Sequence, residues 1–489
     1  AWQRREVTAG SGYLSSSAVP VHAGLGSRSL ADVVRLLWPG GVLQAELDVS
    51  AGQRIEPQEL DRKGSSCPLL FAWDGGSWRF ITDILGVGGL GLWLAPGKYG
   101  TPVPDESLLI TAKDLQPLEG AYYFQVLENL EEVTYLDAAR LQVVDHPKDV
   151  EVYPNMNFGG PPRGTPRLYA FERAARIFPS RAVDHHGRNV TDRLLKVDRT
   201  YPDEFRKLSF AGYAEMHDVT LEFPPSIVDQ EGFVLFLNGW TDFEYSSSNY
   251  AAFQQELTMT LPILEMEDAD GVFKPVLEPM GFPPGMARSI AVDLSSLGPL
   301  KGRRMRLRTN MRVYWDQIFL ARPWDEATMS ARIQVSDAKA AAAHLHRRGF
   351  PREHKPDGKE PRLYDYSIMD NTQPFRTIAG DYTRFGRVTD LVTEADDRAV
   401  IFGKGEELTL EFPVKGLPQQ PKGTIRSFVL HLSGWCKDMD PHTAHGETVE
   451  PLPFRGMKSY PYAEGETYPD DPEHRGWRST WNTRRLEGR

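Results

Sequence analysis

No run in this sequence approaches the ~20 consecutive apolar residues of a membrane-spanning helix. Its most apolar stretch, Ile84-Leu85-Gly86-Val87-Gly88-Gly89-Leu90-Gly91-Leu92-Trp93-Leu94, is short and broken by glycine. Cysteine is nearly absent. With 2 cysteines in 489 residues, a disulfide framework is excluded; one long-range bridge between Cys67 and Cys436 and two unpaired buried thiols both stay open. Positive charge is short as well. A net charge of −11 argues against a nucleic-acid partner, because phosphate binding needs clustered Lys and Arg. The basic clusters Lys301-Gly302-Arg303-Arg304 and His346-Arg347-Arg348 are brief and read as solvated surface. Catalytic signatures are missing too: no Gly-X-Ser-X-Gly elbow, no His-Glu-X-X-His, no Walker loop and no dinucleotide fingerprint. Gly86 to Gly91 has glycines near phosphate-loop spacing, but no βαβ context follows, so it reads as a flexible turn. The sequence opens on Ala1 without initiator Met, basic n-region or signal peptide, and is expected to be a processed or partial product with its targeting information upstream.

What is present is a globular composition. A hydrophobic share of 40% and an aromatic share of 11% exclude wholesale disorder. The 43 glycines and 37 prolines favour short strands and turns over long helices. A chain of this length divides into about three domains.

The first segment, 1–62, alternates strand-like stretches with turns. Gly10-Ser11-Gly12-Tyr13-Leu14-Ser15, His22-Ala23-Gly24-Leu25-Gly26 and Arg35-Leu36-Leu37-Trp38-Pro39-Gly40-Gly41 occur there in order. Together they resemble the ASPIC/UnbV domain of extracellular proteins like cartilage acidic protein. Ala23 stands where the family usually has an aromatic residue, and the match begins after the family's first strand. The resemblance implies secretion or a place on the cell surface, outside the cell or in the periplasm. It also implies an upstream β-propeller region as a partner. From about residue 63 onward the chain is similar to the C-terminal regions of bacterial ASPIC/UnbV or tetratricopeptide proteins, a likeness that implies no activity.

Region 63–130 reads as a β connector, with Asp74-Gly75-Gly76 as a hairpin turn between Phe71-Ala72-Trp73 and Trp78-Arg79-Phe80. Beyond it lies a repeat. Ala139-Arg140-Leu141-Gln142-Val143-Val144-Asp145 recurs as Ala331-Arg332-Ile333-Gln334-Val335-Ser336-Asp337. Gly187-Arg188-Asn189-Val190-Thr191-Asp192 recurs, one residue shorter, as Gly386-Arg387-Val388-Thr389-Asp390. Leu221-Glu222-Phe223-Pro224 recurs as Leu410-Glu411-Phe412-Pro413, and Phe233-Val234-Leu235-Phe236-Leu237-Asn238-Gly239-Trp240 as Phe428-Val429-Leu430-His431-Leu432-Ser433-Gly434-Trp435. Four matches in one order, at nearly constant separation, mark a duplication of ~190 residues, too long for a solenoid unit.

The fold expected is therefore all-β: an ASPIC/UnbV-like domain over 1–62, the connector over 63–130, two tandem β-sandwich copies over 131–325 and 326–454, and a Pro/aromatic-rich tail over 455–489. Arg306 to Ile318 resembles the last strands of jelly-roll, galactose-binding-like domains, and Val133-Thr134-Tyr135-Leu136-Asp137 shares its Tyr-X-Asp signature. The alanine-rich stretch 337–348 predicts a spacer helix. Stretches 192–198 and 390–397 predict short helices with the aspartate as N-cap. The tail is too proline-rich for a helix and is expected to lie extended against its own domain or a neighbour.

Candidate chemistry gathers after the repeated Gly-Trp. Asp242 and Glu244 in the first copy, and Asp438 and Asp440 in the second, are the candidate metal ligands. Oxygen donors on a tight loop suit Ca2+, which takes six to eight of them; the plainer reading is a solvated acidic turn. The acidic turn Glu265 to Gly271 reads as a hairpin connection. Trp240, Phe243, Tyr245 and Trp435 are the candidate ligand-binding residues, since exposed rings stack on sugars or anchor interfaces. Such rings also cover the edges of their own domains. His185-His186 offers two imidazoles, but neighbours on a strand point to opposite faces, so a turn pair is the expectation. The function expected is non-catalytic: an extracellular recognition, adhesion or assembly module contacting protein or glycan, or its own copies, with avidity from paired modules. The alternatives are a carbohydrate-active enzyme using the acidic loops and a purely structural subunit of a surface complex or filament.

Overall fold

The computed structural model describes all residues except 1–2, 8–19, 40–41, 60–66, 161–166, 372, 374 and 489. The motif at 10–15 and the glycine pair at 40–41 lie outside the described residues. The protein is all-β, built from antiparallel sheets with a few short helices. Within the N-terminal segment, strand Leu30–Leu37 pairs with Leu43–Ser50 as a hairpin. Arg35 ties it to the rest of the molecule by donating to the Glu447 carboxylate and the Met439 carbonyl, each at 2.7 Å.

Three of the four repeated segments occupy matching places in two sheet systems. Strand Val234–Asp242 carries Gly239 opposite Trp315 and Trp240 opposite Tyr314, with a register shift at Asn238/Gly239. Strand Thr424–Asp438 carries Gly434 opposite Leu136 and Trp435 opposite Tyr135, with the shift at Ser433/Gly434. Leu221 lies between Ala182 and Met305, just as Leu410 lies between Ala343 and Phe124. In the Gly-Arg-Val-Thr-Asp turns, the Val190 N–H donates to the Ala182 carbonyl and the Ala182 N–H to the Thr191 hydroxyl, at 2.9 and 2.8 Å. Val388, Ala343 and Thr389 repeat both bonds at 2.9 and 3.0 Å. The Tyr-X-Asp aspartates match as well. Asp316 accepts the N–H groups of Asp198 and Arg199, and Asp137 accepts that of Asp397; Arg199 and Asp397 both have positive φ, 65° and 67°.

The fourth match is of another kind. Strand Gln334–Lys339 lies antiparallel beside Glu132–Pro147, with Gln334 opposite Asp145, so those two similar segments are sheet neighbours rather than counterparts.

The pairing also interleaves the two systems instead of setting them in tandem. Strand Ala121–Leu127 sits between Glu406–Pro413 and Leu69–Trp73, and Glu132–Pro147 pairs along most of Thr424–Asp438. The stretch expected as a connector thus supplies sheet strands to the second copy. Leu69–Trp73 takes the place that Ile263–Glu267 takes in the other system: Leu70 faces Val126, as Leu264 faces Leu307. One system therefore runs from residue 67 to 147 and resumes at 334, an outer unit; the other, within 150–321, is inserted between the two stretches. Their strand orders are circular permutations of one another. Each unit has its own apolar core, with Leu70, Phe124, Leu141, Leu410, Leu430 and Trp435 in the outer one. Val219, Leu221, Leu235, Leu307, Trp315 and Ile318 fill the inserted one.

Local readings differ where tertiary context overrides propensity. The stretch expected as a helix at 337–348 forms strands Gln334–Lys339 and Ala342–Arg347. Ala338, Ala340, Ala343 and Leu345 point inward and alternate with exposed Lys339, Ala341 and His344, a period of two that a helix cannot satisfy. The short turns at Thr191–Leu194 and Thr389–Leu391 are 3-10 helices whose caps are Val190 and Val388, with the aspartates inside the first turn. The tail does form a helix, Pro472–Trp481. Its proline occupies the first turn, where no N–H is needed, and Asp471 caps it by accepting the N–H groups of Glu473 and His474. Tyr460, Tyr468 and Trp477 bury the tail against the outer core.

Candidate functional site

The residues singled out after the repeated Gly-Trp do not converge on one site. Trp240 is buried and stacks on Tyr314, ring centroids 4.3 Å apart and nearly parallel. Trp435 is 1% exposed. Phe243 packs on the inserted core beside Phe158 and Phe282. Tyr245 caps the helix Ser246–Phe253, its N–H donating to the Ser248 hydroxyl at 2.8 Å. Trp240, Trp435 and Phe243 thus pack within their own units, because the apolar gain of burying rings this large exceeds what an edge position offers.

The carboxylates have separate partners. Asp242 is ion-paired with Arg312 at 2.9 Å. Glu244 is buried, and burial pushes its carboxyl up. Asp438 accepts the Thr443 hydroxyl at 2.6 Å. Asp440 accepts the Ser247 N–H and hydroxyl at 3.0 and 2.7 Å, and the His442 N–H at 2.8 Å. Because Trp240 and Trp435 are level, the place of Asp242 is filled in the outer unit by Lys437 rather than by Asp438. The four carboxylates therefore do not form the single oxygen cage that Ca2+ takes. Asp440 instead docks the inserted unit's helix onto the outer unit, assisted by Tyr250 stacked on His442 at 3.9 Å and by Asn249, which donates to the Trp93 carbonyl.

Lys437 was hidden in sequence by its acidic neighbour. Its ammonium is buried, donates to the Tyr460 hydroxyl at 2.8 Å and the Val449 carbonyl at 3.1 Å, and lies over the Tyr135 and Tyr460 rings. Burial pushes it down to about 7. A folded pKa below the unfolded one means that the folded chain binds fewer protons between pH 7 and the ordinary lysine range. Stability should therefore rise with pH across that window, while the penalty stands in full below pH 7. Lys437→Met is expected to flatten this slope, because the Val449 carbonyl keeps the Tyr135 hydroxyl as its donor at 2.6 Å. Chemical denaturation at pH 7 and pH 9.5 measures it; an unchanged slope in the variant would assign the titration elsewhere.

Two places among the described residues are candidate ligand sites. One is a cavity of about 260 Å3 in the outer unit, lined by Arg347, Arg376, Lys404 and Arg484, with Tyr382 and Phe385 as its aromatic wall and Glu132 and Glu406 as its acids. Arg484 is held bidentate by Glu406 at 2.6 and 2.9 Å and stacks over Phe385 at 3.8 Å. Arg376 is buried, touches Glu447 at 3.4 Å through one terminal nitrogen, and keeps its Nε without a hydrogen-bond partner. Burial lowers Lys404. Cations outnumber acids in this lining, and no sequence motif joins residues so far apart. The other place is the turn after strand Arg181–Asp184. There His185, His186 and Glu215 bring their donor atoms within 4.8 Å of one another, the one such group of three among the described residues.

These features define an all-β protein of two interlocked sheet units with a cationic cavity in one and a histidine–carboxylate cluster on the other. The family described as ASPIC and UnbV matches residues 1–63, which agrees with the motifs of the N-terminal segment. No curated protein and no solved structure matches the chain. No described helix is long and apolar enough to cross a membrane.

Proposed function

We propose that this protein is a non-catalytic recognition module, acting at the cell surface or in secretion, that takes an acidic group of a glycan or protein into the cationic cavity. The observation that carries the reading is Arg376. A guanidinium buried to 6% side-chain exposure with Nε unpartnered leaves a charged donor unsatisfied, which costs about 1–3 kcal/mol or more. An entering carboxylate or sulfate would satisfy it. The volume of about 260 Å3 falls just below the roughly 300–1,000 Å3 of small-molecule pockets, so the occupant is one acidic residue rather than a long segment. Tyr382 and Phe385 offer the apolar surface on which a sugar ring stacks. Against the enzyme alternative, Asp242 pairs with Arg312, Asp438 accepts the Thr443 hydroxyl, and the two lie in different units.

Titration calorimetry with glucuronate-containing and matched neutral tetrasaccharides tests this. Binding of the acidic one alone is expected, weakening with salt and falling about tenfold or more in Arg376→Gln, since a hydrogen bond to a charged group contributes about 1.5–3 kcal/mol. Equal binding of both sugars, or an unaffected variant, would refute the cavity as the site.

A further inference from the structure

The turn at Asp184–Arg188 is built to hold two imidazoles on one side. Asp184 accepts the N–H groups of His186 and Arg188 at 3.0 and 2.9 Å and the Arg188 guanidinium at 2.7 Å. Gly187 supplies the positive φ, 78°, that closes the turn. On a continuous strand, His185 and His186 would face opposite ways; in this turn their rings lie 3.9 Å apart between centroids. Across from them runs strand Tyr213–Glu222, whose pairing is irregular between Tyr213 and His217. Such irregularities re-aim side chains, and Glu215 sits within this one.

Glu215 is itself fixed. The Arg206 N–H donates to its Oε1 at 2.8 Å, and the Arg206 guanidinium lies 3.4 Å from Oε2. That backbone hydrogen bond holds the carboxyl below its usual range, so it is ionised at neutral pH. A carboxylate oxygen carries two lone pairs, so Oε1 keeps one free. His185 Nε2, a buried atom, lies 3.4 Å from that oxygen as a long ion-pair contact rather than a close hydrogen bond. Metal–ligand bonds of about 2.0–2.2 Å place two tetrahedral ligands roughly 3.3–3.5 Å apart, so this pair already has the spacing of a tetrahedral edge. His186 is exposed and leaves the outer side of the cluster open to water. Behind it, His217 is buried and donates through Nε2 to the Met311 carbonyl at 2.9 Å, and Phe205 stacks on its ring at 4.1 Å.

We propose that His185, His186 and Glu215 bind one divalent first-row transition ion of the Zn2+ class, with the remaining position taken by water. Two imidazoles and one carboxylate suit that class, whereas Ca2+ and Mg2+ take all-oxygen sets. The ion would pin the turn to the neighbouring strand. The proposal is independent of the cavity, which lies in the other unit.

The test uses the whole chain, stripped with a chelator and titrated with ZnCl2 against a chromophoric competitor. One Zn2+ per chain is expected, unaffected by millimolar CaCl2. His186→Ala, a change at an exposed position, should weaken binding at least about tenfold, since even partners outside the ligand set cost 10–100-fold when removed. Glu215→Gln should do the same, and both variants should keep the far-ultraviolet spectrum of the parent. His344→Ala, at an exposed histidine in the outer unit, should bind like the parent. Absence of binding, displacement by calcium, unchanged affinity in both site variants, or an equal loss in His344→Ala would each overturn the assignment.

Discussion

Arg288→Ala is expected to destabilise the protein by about 3–5 kcal/mol, the usual loss when one member of a buried ion pair is removed. Arg288 belongs to the inserted unit, on strand Arg288–Asp293, and its guanidinium reaches two acids of the outer unit, Asp83 and Glu106. It also donates to the Asp83 carbonyl at 2.6 Å and the Thr82 hydroxyl at 3.1 Å. All three charged side chains are at most 7% exposed. Removing the cation leaves two carboxylates in a dry interface, Glu106 already pushed up by burial. Carboxyls whose folded pKa is raised lose stability as pH climbs through it. The defect should therefore be larger at pH 8 than at pH 5, because the raised Glu106 carboxyl takes up a proton more readily on the acid side. Asp83→Asn/Arg288→Met/Glu106→Gln together should recover most of the loss, because a buried charge network replaced by neutral groups of similar volume is often near neutral. Denaturant midpoints at both pH values decide it; a loss under about 1 kcal/mol, alike at both, would mean that the triad does not hold the units together.

Gly239→Val and Gly434→Val should each cost about 3 kcal/mol, at the upper end of overpacking effects. Both glycines sit at the register shift, in mid-strand rather than in a turn, and neither has positive φ. Their need is space. A Cβ on Gly239 would collide with the Tyr314 carbonyl oxygen, and one on Gly434 with that of Tyr135. Leu136 Cα would lie 3.2 Å away at the second position. The obstacles are backbone atoms, which cannot swing aside as a side chain would. Gly476→Val, on the tail helix with nothing near its would-be Cβ, is the control and should cost about 1 kcal/mol or less. Equal melting of Gly434→Val and the parent would contradict the register described here.

The repeated Gly-Trp was legible because its demand is local: one bulge, one close carbonyl and one aromatic partner recur as a short string. The Tyr-X-Asp signature was legible for the same reason, each aspartate holding a positive-φ turn. The interleaving was not. Nothing in residues 121–147 announces that their partners lie at 406–438, since cross-strand pairing leaves no mark within either strand. The alanines of 337–348 misled because propensity speaks only where packing does not. Asp440 looked like a ligand by its neighbours, but its carboxylate meets Ser247 from the other unit. His185 and His186 do form the expected turn pair; what the sequence could not show is that Glu215 lies across from them.

The proposed binding cavity depends on this interleaving, because Glu132 comes from before the inserted unit and Arg376, Lys404 and Arg484 from after it. Amide hydrogen exchange read by mass spectrometry under rising denaturant tests the arrangement most directly. The interleaved sheets predict that strands Asp105–Ile110, Glu132–Pro147 and Thr424–Asp438 lose protection in one step, together with Leu69–Trp73. If segments 67–130 open first and leave Thr424–Asp438 protected, the shared sheets are wrong, and the cavity with them.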